Sequence, residues 1–223
     1  GGLSVNGRND PAFGRSDFSI GSRIVAAVGY DNDWGTDGLL NTSISIFYNG
    51  QSGDPYSYVY NGGSARNINN ETGSTSRNRS LIWIPADQSE INLIDDGDLT
   101  AAEQWEALNN FIEQDDYLSE NRGSYAEKNG ARAPFVSQWD LRLAQAFGIK
   151  SGSKTNRLEI SLDIFNFANL LNSEWGVIYS NPFDYRLINF EGYEADGTTP
   201  QFTFTDDRLD NDRFNISDRI SRW

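Results

Sequence analysis

Residues Phe135 to Phe167 constrain the fold most. They read as two long stretches of alternating character joined by a short polar turn. From Phe135 to Phe147 the odd positions carry Phe135, Ser137, Trp139, Leu141, Leu143, Gln145 and Phe147, mostly apolar, and the even ones Val136, Gln138, Asp140, Arg142, Ala144 and Ala146, mostly polar or small. After 148–156 the pattern resumes, with Leu158, Ile160, Leu162 and Ile164 facing one way and Arg157, Glu159, Ser161 and Asp163 the other. A period of two is the signature of a strand with one apolar face. Such a face suits a half-buried sandwich strand, and equally a barrel wall with lipid outside and water inside.

Length favours the wall. The 13 residues from Phe135 to Phe147 make about 40 Å of strand, which climbs roughly 28 Å at a 45° tilt, enough for the apolar band of an outer-membrane barrel. Strands of globular domains average about 5–6 residues. Nowhere is there a run of some 18 apolar residues, so any crossing of a bilayer is by strands.

Further alternation marks strands at 18–30, with Ile20, Ile24, Ala26, Val28 and Tyr30 on one face, and at 39–49, with Leu40, Ile44, Ile46 and Tyr48. Residues 31–38 read as the turn between them. Tyr56, Tyr58 and Tyr60 continue the second strand past the membrane. Residues 61–134 form a long excursion, with one helix near 100–119 whose Thr100 and Glu103 make a capping box. Residues 170–212 form a second excursion, and 214–223 begin a last strand. Connections thus alternate short and long, as periplasmic turns and extracellular loops do in outer-membrane barrels. Four or five strands do not close a barrel. The reading is therefore all-β: several strands and long extracellular loops from a larger antiparallel transmembrane barrel. The start at Gly1-Gly2-Leu3, with no initiator Met, fits a processed chain or part of a longer one.

Composition removes several chemistries. With no Cys and no His among the 223 residues, the chain alone builds no Ser-His-Asp or Cys-His nucleophile, disulfide, or His-ligated zinc site. A net charge of −14 argues against a nucleic-acid partner. Between 87 and 127 there are twelve carboxylates and one cation, Arg122. Carboxylate pairs are too abundant to single out a glycosidase. Asp95, Asp96 and Asp98, and separately Asp31, Asp33 and Asp37, are candidate calcium ligands, although neither group has the bidentate Glu of a calcium loop. No other cofactor is expected. Tyr56, Tyr58, Tyr60, Trp83 and Trp175 are candidate substrate contacts because aromatic faces in outer loops stack on sugars or peptides. Ile24, Ile44, Trp139, Leu141, Leu143, Ile160 and Leu162 are candidate lipid-facing residues. A secreted, soluble β-sandwich that binds glycans is the alternative, and it would bury these same side chains against a second sheet.

Several motifs also carry a resemblance. They are Phe47 through Tyr60, Leu81-Ile82-Trp83-Ile84-Pro85, Gln104 to Leu118 with its Phe111-Ile112 pair, Arg122-Gly123, Pro134 through Gln145, and Asp163-Ile164-Phe165-Asn166-Phe167-Ala168-Asn169-Leu170-Leu171-Asn172. In order and spacing they resemble the C-terminal part of Oar-like TonB-dependent outer-membrane transporters of Bacteroidota. The resemblance implies a 22-stranded barrel, with these strands numbered 18 to 21 and Ser221-Arg222-Trp223 leading into the last. It also implies an outer-membrane location, transport without catalysis, and as partners outer-membrane lipid, the remaining strands, a plug domain, TonB and surface lipoproteins. The plug and the TonB-contacting segment are absent from these residues. Where related loops carry an Asp-rich repeat, this chain has Asn69-Asn70-Glu71-Thr72.

Overall fold

The structure is a computed structural model that describes residues 13–62, 80–180, 184–204 and 214–216, together with Leu3, Val5 and Ile68. In chain order the elements are β1 (Arg23–Trp34), β2 (Leu40–Gln51), β3 (Pro55–Gly62), β4 (Trp83–Ile84), α1 (Ala101–Gln114), α2 (Asp116–Glu120), β5 (Ser124–Tyr125), β6 (Ala131–Arg132), β7 (Val136–Ser151), β8 (Lys154–Ile164), α3 (Phe167–Leu171), β9 (Tyr179–Ser180), β10 (Asp184–Tyr193), β11 (Pro200–Thr203) and β12 (Asn215–Ile216). The protein is all-β in character, with 50% of the described residues in strands, few helices and mostly antiparallel pairing. β3 and β10, however, run parallel. The described residues fall into two units, one drawn from Ile20–Gly53, Pro134–Ser180 and Ile216–Trp223, the other from Gly1–Ser19, Asp54–Ala133 and Asn181–Asn215.

The first unit is a four-stranded antiparallel sheet in the order β1-β2-β7-β8. β1, β7 and β8 run further into the tight turns than the sequence pattern shows, while β8 ends at Ile164 rather than 167, just before α3. β1 continues through 31–34, which reads as turn because it is rich in Asp and Asn. Those residues keep the alternation, and they are tied across to β2 by Asn41 Nδ2 donating to Asp33 Oδ1 at 2.8 Å and Trp34 Nε1 donating to Thr42 Oγ1 at 2.8 Å. The reversal is confined to 35–39, where Gly35, Asp37 and Gly38 all take positive φ. At the other end β1 begins at Arg23 rather than Phe18. Gly21 turns the chain at φ 70°, and Phe18 and Ile20 stand exposed. β7 and β8 likewise absorb most of the expected 148–156 turn. Ser151 pairs with Lys154, leaving a two-residue reversal at Gly152-Ser153 in which Gly152 has φ 64°.

The second unit contains what the sequence pattern assigns to loops. Its sheet has the order β11-β10-β3-β6, and β4 pairs with β5. So 170–212 is not one irregular loop: β10 and β11 lie within it. Tyr58 is fully buried, with its ring edge-on to Tyr56 at 5.2 Å and to Tyr185 at 5.5 Å. Tyr60 stacks on Phe202 at 5.2 Å, and Phe111 of α1 stacks on Tyr185 at 6.1 Å. Leu108, Ile112 and Ile84 complete a dry core.

The expected helix over 100–119 divides at Asp115, whose extended backbone ends α1 and whose Oδ1 caps α2 by accepting from Leu118 N. Its Oδ2 accepts a 2.6 Å hydrogen bond from the Tyr58 hydroxyl, so a buried carboxylate fixes both the break and the strand beneath. At the start of α1 the capping box is complete: Thr100 accepts from Glu103 N while the Glu103 carboxylate accepts from Thr100 N. These bonds hold the Glu103 carboxyl below its ordinary range. Thr100→Ala is expected to cost about 1 kcal/mol of helix stability, read as faster amide exchange over 101–104.

Of the expected last strand 214–223, Asn215–Ile216 is a strand and 217–223 lies outside the described residues. Most of the Gly/Ser/Asn-rich stretch 63–79, including Asn69 to Thr72, also lies outside them.

Candidate lipid-facing surface and aromatic residues

Register determines what each face of the first sheet presents. Tyr30, Ile44, Leu143 and Leu162 form one row across four strands, and Val28, Ile46, Leu141 and Ile164 the next. Ile24 and Ile160 lie on the same face by parity, as does Trp139, which pairs with Tyr48. All seven candidate lipid-facing residues therefore share one surface. Ile24 is 56% exposed, Ile160 61% and Leu162 55%, whereas Leu141, in the middle of the sheet, is only half-buried. At one end of this face Tyr48 packs on Trp139 with ring centroids 4.4 Å apart, and at the other stand Trp34 and Phe147.

The opposite face is polar and knit together. Arg142 on β7 makes a two-pronged contact with Asp163 on β8, both oxygens at 3.0 Å, and reaches Glu159 at 3.3 Å. Arg157 lies 3.9 Å from Glu159 and bonds Asn41, and Arg23 bonds Asn49. Phe47 and Val25 are apolar exceptions on this side.

Both tight reversals, 35–39 and 152–153, lie at one end of the sheet. At the other end β2 stops beside the start of β7, with Gln51 opposite Val136, and β8 finishes. There the backbone N–H of Asn166 donates to Asp140, and Asn166 adopts φ 54° to begin α3. Asn169 ties this corner by donating to the Ser173 and Trp175 carbonyls. The alternation pattern gives no signal for it, because its bonds are local and between polar groups.

The aromatic candidates separate. Tyr56, Tyr58 and Tyr60 are buried and do not line a loop surface. β3 is an inner strand between β10 and β6 whose alternate residues Ser57 and Val59 are buried too, so both of its faces are core. Burial also raises the Tyr60 phenol above its usual range, although its oxygen accepts from Trp83 N. Trp83 is half-buried, edge-on to Tyr125 at 5.0 Å, with its indole N–H held by Glu90 at 2.9 Å. Trp175 is exposed. The structure does not bring these five residues into one site.

Among the carboxylate candidates, Asp33, Asp37 and Asp95 are engaged by neighbouring groups of the protein. Asp95 Oδ1 accepts from Ala101 N at the start of α1, and Asp96 and Leu99 exchange backbone bonds around Gly97 and Asp98. Asp33 is bonded by Asn41, and Asp37 pairs with Lys150 at 2.5 Å. Among the described residues no group of three or more metal-ligating side chains is arranged to hold an ion. Comparison with protein families, with characterised proteins and with solved structures returns no match.

Proposed function

We propose that the sheet β1-β2-β7-β8 is a stretch of transmembrane β-barrel wall, and that the chain is the C-terminal part of an Oar-like TonB-dependent transporter of the bacterial outer membrane. The observation that carries this reading is the mainly apolar face, spread over four long strands, whose large side chains are exposed. Twelve residues of β1 make about 40 Å of strand, which at a 45° tilt climbs roughly 28 Å. An apolar face of that height in water would be a liability, whereas in lipid it is the stable arrangement.

Two further features support the reading. Among the described residues β1 and β8 each have a bare outer edge. Long bare edges invite aggregation in a free sheet but are paired in a closed wall. In addition, both tight turns lie at one end and both long excursions leave from the other, which matches periplasmic turns and extracellular loops. The second unit would then be the ligand-capturing part, with a packed core instead of loose loops. Outer-membrane lipid, the remaining strands, a plug, TonB and surface lipoproteins are the partners this reading implies. It has no catalytic step. A glycan-binding sandwich is less well supported, because it requires Ile24, Ile160 and Leu162 to be covered by a second sheet, and in this chain they are exposed.

Fractionation of source cells tests the proposal. A heat-modifiable outer-membrane band several times larger than 25.0 kDa is expected to carry this sequence. A water-soluble polypeptide would overturn it.

A further inference from the structure

Within each hairpin of the first sheet the turn sets the register, five residues at 35–39 and two at 152–153. β2 and β7 have no such guide, because residues 52–135 separate them in the chain. Hydrophobicity alone does not decide their pairing either. A slip of one residue would invert the faces, but a slip of two keeps apolar opposite apolar.

Specific side chains do distinguish the registers. Thr42 Oγ1 donates to Gln145 Oε1 at 2.6 Å, and Gln145 Nε2 donates to the carbonyls of Asn41 and Ala146, each at 3.0 Å. The Trp34 indole N–H donates to Thr42 Oγ1. This polar set lies on the mainly apolar face, at the directly opposed pair Thr42 and Gln145, with Asn32 opposite Thr42 on β1. Toward the other end, Tyr48 packs on Trp139 and its hydroxyl lies 3.2 Å from Ser137 Oγ. A slip of two would set Gln145 opposite Leu40 or Ile44, and Thr42 opposite Phe147 or Leu143. Both polar groups would then be stranded on an apolar surface, where unpaired polar atoms are costly.

We propose that Thr42 and Gln145 are the register key that joins the two hairpins, with Tyr48 and Trp139 as a second fixed point. The key belongs to the sheet itself; only the size of its effect rests on the membrane reading, since lipid offers stranded groups no water.

None of these 223 residues is Cys, so a direct test is made in the intact polypeptide, with any Cys outside them replaced by Ser, folded into phosphatidylcholine vesicles. The pair Ser43→Cys with Ala144→Cys reports the observed register, and Ser43→Cys with Ala146→Cys, or with Arg142→Cys, reports a slip of two either way. Otherwise unmodified protein is expected to cross-link the first pair in at least about tenfold preference, the ratio that one unpaired polar group supplies. Gln145→Leu or Thr42→Val should raise the slipped products several-fold, and Thr42→Ser, which retains the hydroxyl, should not. If a single variant fails to fold, Thr42→Val combined with Gln145→Leu removes both polar groups and is expected to fold with mixed registers. An unchanged preference for the first pair in the double variant would overturn the proposal. If the protein proves water-soluble, the same cross-links are read in buffer, so failure of the membrane reading is seen separately.

Discussion

Arginine in place of Leu143 is expected to prevent the sheet from assembling into a bilayer. Leu143 lies between Ile44 and Leu162 in the middle row of the apolar face, furthest from either ring of aromatics. A cation at the midplane of a barrel's lipid face costs about 2–4 kcal/mol, a large share of the roughly 5–15 kcal/mol by which folded proteins are stable. Ser45→Arg is the matched control. Ser45 lies opposite Arg142 on the polar face, a wet surface that already carries Asp163 and Glu159. Folding into lipid vesicles, followed by the heat-dependent gel shift, should be lost for Leu143→Arg and retained for Ser45→Arg. If water bathed both faces, Leu143→Arg would instead fold normally and be the more soluble protein.

The second large effect concerns the other unit. Phe111→Ala removes a nearly fully buried ring that stacks on Tyr185 and meets Phe204 edge-on at 6.1 Å. Truncation of a core Phe to Ala costs about 3–5 kcal/mol. This ring joins α1 to β10 and to the end of β11, elements that the sequence separates widely. Its loss should therefore open the whole unit, seen as rapid proteolysis within 85–133 while the β1-β2-β7-β8 sheet stays resistant. Equal resistance in the variant and the parent would show that the ring is not central to the unit.

The four-stranded sheet was legible in the sequence because alternation is a local property. Each of Ile44, Leu143 and Ile160 announces its face through its own neighbours, and register then only had to align faces already present. Strand ends were harder to read. Asp31-Asn32-Asp33 and Lys154-Thr155-Asn156 have turn composition, yet cross-strand bonds such as Asn41 to Asp33 hold them in the ladder. The second unit was mostly hidden. Its sheet depends on the parallel pairing of β3 with β10 across more than a hundred residues. No local pattern signals that pairing, so Tyr56, Tyr58 and Tyr60 read as exposed loop aromatics when they are core. The buried polar groups behave similarly. Gln104 bonds the Ile94 carbonyl and the Phe204 N–H, and Asp115 bonds Tyr58, contacts invisible until the chain is folded. The capping box was read correctly because it spans only four residues.

The most direct measurement is a scan of single cysteines from Leu158 to Asp163 in β8, each carrying a nitroxide, in protein folded in vesicles. Collision with oxygen dissolved in the bilayer is compared with collision with a water-soluble nickel chelate. A lipid-facing wall should give a period of two, with positions 158, 160 and 162 favouring oxygen and 159, 161 and 163 favouring the chelate. Positions 158, 160 and 162 shielded from both reagents, or all six open to the chelate, would contradict a barrel wall.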